Sequence, residues 1–184
     1  MNRSSLWSSL RDERGVSAVE FALIVPVVLI LLIGMVYINE ALTVHRKLRQ
    51  VTIAAADLIA QQDEVTEENV ALTLAGAASL LSPYDTASLS LVLTVIAVEA
   101  GEQSVVWSRA LHATPETAGE APAFPVPDDL ALDGVQTVAV RADFTYHSIF
   151  SELAELFTQG GDLPMRDHMY ERPRISDAIA LLPS

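Results

Sequence analysis

Eighteen consecutive uncharged residues, FALIVPVVLILLIGMVYI, run from Phe21 to Ile38. At a rise of about 1.5 Å per residue, a helix of this length is roughly 27 Å long, close to the hydrocarbon thickness of a bilayer. The apolar core of a secretory signal peptide is shorter, about 7–15 residues, and is followed by a small-residue cleavage site. No good site of that kind follows in residues 39–46. The run therefore predicts one membrane-spanning helix that stays with the protein, with a buried core helix as the alternative.

The charges of the chain are distributed unevenly on either side of this run. Residues 1–50 carry 6 basic and 4 acidic residues, whereas residues 51–184 carry 5 basic and 20 acidic residues. A net charge of −13 argues against a nucleic-acid-binding protein with a basic face. The absence of cysteine excludes disulfides, thiolate zinc sites and a cysteine nucleophile. No phosphate-binding loop, nucleophile elbow or metalloprotease motif is present, so we expect no enzymatic activity and no cofactor.

The segment directly before the run contains Glu20, the charged residue that indicates most about function. A short basic leader with Arg11 and Arg14 is followed by Gly15, by four small or apolar residues, and then by Glu20. A carboxylate attached to an apolar membrane helix is costly to insert, so it marks a functional site by default. The alternative interpretation is that Glu20 only marks the boundary with the lipid headgroups.

This order of leader, glycine, glutamate, aromatic residue and long apolar helix resembles the processing site of type IV pilin-like precursors. RGVSAVEFALIVPVVLILLIG in particular resembles the start of the TadE-like family, the minor pilins or pseudopilins of the tight-adherence (Flp) pilus system. The similarity is close over about residues 11–53 and looser at VAVRADFTYHSIF and ERPR near the C-terminus.

The resemblance implies a role for individual residues. A prepilin peptidase would cut between Gly15 and Val16, and Glu20 would become the fifth residue of the processed chain. A carboxylate four residues from the new amine lies on the same helical face, where it would neutralise the amine of its own or a neighbouring subunit. Glu20, followed by the aromatic Phe21, would set subunit register. The implied function is structural, in pilus biogenesis and surface adherence.

Two further residues inside the run are typical of a helix that packs against other helices. Pro26 lacks an N–H group and conflicts with the carbonyl four residues before it, a defect that neighbouring helices cover in a membrane. Gly34 offers a place where another helix approaches closely. A lone membrane anchor that carries these two residues by chance is the alternative. The resemblance implies as partners other pilins through the N-terminal helix, the prepilin peptidase, the pilus assembly machinery and the membrane.

The orientation of the helix rests on the resemblance rather than on charge. Basic residues flank both ends of the run, with Arg46, Lys47 and Arg49 at the far end, so the positive-inside rule does not decide. The resemblance implies a bacterial inner membrane protein with its head outside the cytoplasm. The alternative function is that of an unprocessed, signal-anchored protein whose extracytoplasmic head binds an envelope component.

The remaining pattern predicts an α+β head. We divide the chain into a leader (1–15), a membrane helix that continues as an amphipathic stem (16–62) and a head (63–184). Within the head, Thr66 is a helix N-cap, and Ser82-Pro83 ends that helix. The other predicted elements are strands over 88–98, 103–108, 135–147 and 165–175, the last of the chain, a long exposed loop over 112–129, and a short helix over 148–157 that ends before Gly160.

A few polar groups invite a metal-site interpretation that we do not adopt. His147 with Asp143, and His168 with Asp167, form two such pairs. The acids Asp63, Glu64, Glu67 and Glu68 are better explained as a solvated helix start, and Asp128, Asp129 and Asp133 lack the spacing of an EF-hand. We therefore expect no metal site.

Overall fold

The computed structural model describes residues 13–147 and 162–183, with side chains from Val16 onward. The elements in chain order are α1 (Glu13–Ala60), β1 (Glu64–Thr66), α2 (Glu67–Ser79), a short 3-10 turn (Thr86–Ser88), β2 (Leu89–Glu99), β3 (Glu102–Leu111), β4 (Thr137–His147), β5 (Asp162–Glu171) and β6 (Ala180–Leu182). This confirms the predicted α+β class. The predicted helix over 148–157, its end at Gly160 and most of the leader lie outside the described residues.

The chain divides into two compact units, Met1–Glu40 and Ala41–Ser184. In the first unit, the described residues all belong to helix α1, which includes the whole uncharged run and contains Pro26. In the second unit, α1 has a buried stripe that recurs every three or four residues, as an amphipathic helix requires. The members of this stripe are Val44, Leu48, Val51, Ala55 and Ile59, each 0% exposed. The helix ends at Ala60, two residues before the predicted end of the stem.

Helix α2 begins where the sequence predicts. The Thr66 side chain accepts a hydrogen bond from the backbone N–H of Asn69 at 3.2 Å, which satisfies one of the free donors of the first turn. Glu67 and Glu68 follow in that turn, where negative charge suits the positive end of the helix dipole. The helix ends at Ser79, before the predicted stop at Ser82-Pro83.

Four antiparallel strands form the main sheet in the order β3-β2-β4-β5. Strand β2 lies inside the sheet, between β3 and β4, and is buried over nearly its whole length. The turn between β2 and β3 contains Ala100 and Gly101, both with positive φ. On β4, burial alternates from Val140 onward, with Val140, Phe144 and Tyr146 on the buried side, whereas the first residues of the strand, including Thr137, are all buried.

One face of this sheet packs with α1 and α2 to form the main core. Leu89, Leu91, Leu93 and Val95 of β2 belong to the same cluster of buried residues as Leu48 of α1 and Leu74 of α2. The opposite face is partly covered by the long loop between β3 and β4. Val126 of this loop is buried in a second cluster with Ile96 and Ala139, and the Gln103 side chain bonds both the N–H and the C=O of Val126 at 2.7 Å.

The C-terminal end differs from the sequence-based expectation. Strand β5 ends at Glu171 rather than near Ile175, because Pro173 has no N–H to donate to a sheet ladder. A further strand, β6, follows it and pairs in parallel with β1, placing Leu181 opposite Val65. The prediction that the strand over 165–175 is the last of the chain was therefore wrong.

Candidate functional site in the N-terminal helix

The first unit presents an apolar surface that the chain itself does not cover. By length and composition, the helix from Val16 to Ala60 is suited to cross a membrane, and none of its most apolar 18-residue window is buried within the protein. Phe21 is 69% exposed and Met35 is 72% exposed. Contiguous exposed apolar surface of this extent is typical of a membrane or helix-packing site.

Glu20 and Val16 lie one helical turn apart on the same face of α1. Both side chains are exposed, and Glu20 forms no ion pair with any described residue. Residues at positions i and i+4 of a helix have Cβ atoms about 5–6 Å apart, so an amine at Val16 would lie within reach of the Glu20 carboxylate. Phe21 is the next residue and is therefore turned about 100° away from Glu20 around the helix.

Pro26 and Gly34 also lie within the continuous helix. Pro26 cannot donate the hydrogen bond that the Ala22 carbonyl would otherwise accept from that position. Apart from the adjoining turns of its own helix, no atom of the described residues lies within 4 Å of a Cβ atom added at Gly34. The close approach that a glycine permits is therefore available to a second helix.

The second unit does not assemble the polar pairs that the sequence suggested. Asp143 and His147 lie four residues apart on strand β4, which corresponds to about 13 Å at 3.3 Å per residue. His147 Nδ1 instead contacts Asp162 Oδ1 at 2.7 Å, on the neighbouring strand. Asp143 forms ion pairs with Arg166 and, at 3.1 Å, with Arg141.

Asp167 and His168 are separated by the pleat of strand β5, because adjacent residues of a strand point to opposite faces. Asp167 accepts a hydrogen bond of 2.6 Å from the buried Thr52 hydroxyl of α1. His168 instead packs against the rings of Phe124 and Tyr170, with centroids 4.8 and 5.7 Å away. Burial raises the pKa of the Tyr170 phenol, whose hydroxyl donates to the Pro125 carbonyl at 2.9 Å.

The acidic residues near the start of α2 and in the long loop are likewise not arranged as metal ligands. They form other polar contacts or are exposed to solvent. Glu67 forms an ion pair with Arg109 of β3, and Asp63 Oδ1 accepts from the Glu64 N–H at 3.0 Å. Asp128 and Asp129 are exposed in the loop. Across residues 13–147 and 162–183, no three His, Asp or Glu side chains are grouped as a metal ion requires.

The sequence-based reasoning missed how the C-terminal segment is attached to the head. The Arg174 N–H donates to the Ala60 carbonyl at the end of α1, at 2.8 Å. The Trp107 indole N–H donates to the Ile179 carbonyl at 3.0 Å, and the Ile179 N–H donates to Gln136 Oε1 at 2.8 Å. The short apolar run after Asp177, which contains Ile179, was the one signal of this attachment in the sequence.

Comparison with known protein families identifies the N-terminal segment. The family model described as TadE-like protein matches residues 15–57, a range that starts at the leader glycine and contains the whole uncharged run. No curated protein and no solved structure matches the chain significantly. Residues 15–57 of this chain are therefore similar to TadE-like proteins, which confirms the resemblance predicted for the N-terminal segment, whereas the looser resemblance near the C-terminus stays a prediction.

Proposed function

We propose that this protein is a structural component of a Flp-type type IV pilus system, a membrane-anchored minor pilin or pseudopilin that helps pilus biogenesis and surface adherence. The observation that carries the proposal is the TadE-like match, because it begins at Gly15 and covers the exposed apolar helix. The protein acts as the substrate of a processing enzyme and as a packing partner of other pilins, and not as an enzyme.

The membrane anchorage follows from the surface of the first unit. The described side chains of the uncharged run are mostly exposed, so in water they would leave a contiguous apolar patch much larger than a monomeric soluble protein tolerates. A bilayer covers this surface without any further protein, and the length of the run matches its hydrocarbon core. The protein is anchored once in the bacterial inner membrane, with the acidic residues 63–184 on the extracytoplasmic side.

Processing takes place at the Gly15–Val16 bond. This bond lies in the first turn of α1, which begins at Glu13. The first turn of a helix has N–H groups without intrahelical partners and opens at low cost, so a peptidase can bind the bond in an extended form. Gly15 has no side chain to obstruct this, and cleavage turns Val16 into a positively charged N-terminus.

The Glu20 carboxylate offsets that new positive charge. An unpaired ion costs several kcal/mol when it is buried among apolar side chains, and the helix from Val19 onward, Glu20 apart, exposes mainly apolar side chains. Glu20 lies on the same helical face as Val16 and so pairs with the amine of its own chain or of an adjacent subunit. Because a pair between subunits forms only at one relative height, it fixes the register of the assembly, with Phe21 packing beside it.

Pro26 and Gly34 then favour close packing with other pilins. The free carbonyl opposite Pro26 is sheltered from lipid when a second helix covers it. The open space at Gly34 lets the backbone of that helix approach. These two positions give the apolar helix one face that suits a neighbouring helix better than lipid.

Mass spectrometry of the N-terminus tests the processing step. The protein should begin at Val16 in membranes that contain a prepilin peptidase and at Met1 in membranes that lack it. Replacing the glycine in Gly15→Arg should block cleavage because the side chain fills the site of the scissile bond, whereas Gly15→Ala serves as the control with a small residue. A chain that keeps Met1 in the presence of the peptidase would contradict the proposal.

Pilus assembly tests the role of the carboxylate separately from processing. Glu20→Gln keeps the shape of the side chain and removes its charge, so it should leave cleavage intact and lower the amount of assembled pili. Glu40→Gln is the matched control, because Glu40 lies on the same helix beyond the other end of the uncharged run. Equal pilus yields from the two variants would refute a register role for Glu20.

A further inference from the structure

Two arginines of helix α1 lack the partners that every later arginine has. Arg46 and Arg49 are exposed and form no ion pair or side-chain hydrogen bond with any described residue. The later arginines are all engaged: Arg109 with Glu67, Arg141 and Arg166 with Asp143, Arg174 with Asp57 and Glu171, and Arg172 with the Leu130 carbonyl. In a chain with 24 acidic and 11 basic residues, two unpaired arginines are unexpected.

The position of this pair within the chain suggests its partner. Arg46 and Arg49 are three residues apart and so share one side of the helix. Arg46 follows the last residue of the uncharged run, Ile38, by eight residues, or about 12 Å of helix. Side chains of a helix lean towards its N-terminus, which is the direction of the apolar run, and arginine extends its charged group along an apolar stem. The guanidinium groups therefore lie within reach of the headgroup layer, which adds about 5–7 Å to each side of the hydrocarbon core.

Lys47, between them, is used differently. Its Nζ donates to the Ser82 carbonyl at 2.5 Å and to the Leu80 carbonyl at 3.4 Å, just after helix α2. Lys47 thus binds the head, whereas the planar guanidinium groups of Arg46 and Arg49 contact no described acidic residue. Guanidinium groups bind phosphate oxygens in a bidentate manner, which makes arginine the residue of choice for phosphate recognition.

We infer that Arg46 and Arg49 form a docking surface for the phosphate headgroups of anionic phospholipids in the outer leaflet of the membrane. This inference rests on the membrane anchorage proposed above. It also explains why two arginines are kept on the translocated side of a membrane helix, where basic residues oppose insertion in that orientation. The attraction offsets the repulsion between an anionic membrane and a head that carries 19 acidic and 5 basic residues over positions 63–184.

Spin-label electron paramagnetic resonance on the full chain in vesicles tests the inference. The measured quantity is the fraction of spin-labelled phosphatidylglycerol, compared with phosphatidylcholine, that is immobilised next to the protein. We expect a preference for phosphatidylglycerol of roughly five-fold per arginine contact at low salt, decreasing as salt shortens the Debye length. The variant Arg46→Gln/Arg49→Gln should lose this preference, and its helix should be unaffected because both side chains are exposed.

The matched control is Arg166→Gln/Arg172→Gln, which removes two exposed charges elsewhere in the head. It should keep the preference of the unmodified chain. An equal preference in both double variants, or no preference in the unmodified chain at low salt, would overturn the inference. A second copy of the chain is the competing partner, and fluorescence energy transfer between labelled copies in pure phosphatidylcholine vesicles detects it. If Arg46→Gln/Arg49→Gln weakens this transfer, the arginines bind the acidic head of a second copy, and the inference is overturned.

The experiment separates this inference from the proposed function. Vesicle reconstitution involves no peptidase and no pilus machinery, so failed processing or assembly leaves the lipid result unchanged. If the chain is extracted from vesicles by alkaline carbonate, the membrane anchor is refuted, and both proposals are refuted with it. If the chain resists extraction but shows no lipid preference, only the docking surface is refuted.

Discussion

Replacing Ile179 by alanine should destabilise the second unit by about 3–4 kcal/mol. The Ile179 side chain is 1% exposed and belongs to the cluster of buried residues that includes Leu48 and Ile59 of α1. The substitution removes three carbon atoms, and at about 0.8 kcal/mol for each buried methylene the transfer contribution is roughly 2.4 kcal/mol. The empty volume left behind adds to this cost when the surrounding structure cannot close over it.

The neighbours of Ile179 prevent that closure. Its N–H and C=O groups are held by the side chains of Gln136 and Trp107 at 2.8 and 3.0 Å. The adjacent Ala180 N–H donates to the Asp63 carbonyl at 2.9 Å. Because the backbone on both sides of the substituted residue is fixed, the cavity persists, and the loss falls in the middle of the range of about 2–5 kcal/mol for such changes.

Ile175→Ala is the matched control. It makes the same chemical change four residues earlier in the same segment, but the Ile175 side chain is 66% exposed. An exposed substitution that creates no cavity changes stability by about 0.5 kcal/mol or less. The difference between the two variants therefore isolates the burial of Ile179 from any general effect of alanine in this segment.

The assay is urea unfolding of the full chain in detergent micelles, followed by the fluorescence of Trp107. The only other tryptophan, Trp7, is replaced by phenylalanine in all samples. Trp107 is buried and contacts the segment under test, so its emission reports unfolding of the head and not of the micelle-bound helix. In a separate thermal unfolding experiment with the same fluorescence signal, the midpoint temperature of Ile179→Ala should fall by roughly 6–15 °C. The reasoning is refuted if the two alanine variants unfold within about 0.5 kcal/mol of each other.

Two further changes in the head have expected outcomes. Thr66→Ala should cost about 1 kcal/mol, because the N–H of Asn69 loses its 3.2 Å capping bond, whereas Thr66→Ser should restore most of the loss in the same urea assay. Burial raises the pKa of Tyr170, so the folded chain holds the phenol proton more tightly than the unfolded chain. The free energy of unfolding should therefore fall as the pH rises above about 10, and Tyr170→Phe should reduce this slope; equal slopes in the two proteins would contradict the attribution to Tyr170.

The elements that the sequence predicted share strong and local periodicity. The stripe of α1 repeats every three or four residues, and burial on β4 alternates from Val140 to His147. Patterns of this length specify which side of an element is buried regardless of what covers it. Strand β6 has three residues and is held by pairing with β1, more than a hundred positions earlier. Three residues cannot show a period, so periodicity does not predict β6.

The two His–Asp pairs considered as metal sites fail for the opposite reason to β6. Their residues are close in the sequence, but the fold does not bring their side chains together. Asp167 and His168 are adjacent in the chain but lie on opposite faces of β5, where one binds Thr52 and the other packs on Phe124. The processing site is different, because Val16 and Glu20 are separated by one turn of a helix that the apolar composition of the segment predicts. Their spacing in the sequence therefore does indicate that they share one face. Glu20 has no ion-pair partner among the described residues, and under the proposed function its partner is an amine that only cleavage would create.

The two units are stabilised by different interactions, which makes their roles separable by experiment. The main core of the second unit begins at Val44 of α1, and none of its buried residues comes from the uncharged run. Stability of the head therefore depends on burial within the chain, whereas the first unit depends on what surrounds it. Under the proposed function, a substitution in the core such as Ile179→Ala should lower pilus yield by unfolding the head, while Val16 should still become the N-terminus. A substitution at Glu20 should leave the unfolding of the head unchanged, so that the expected assembly defect is distinguished from instability.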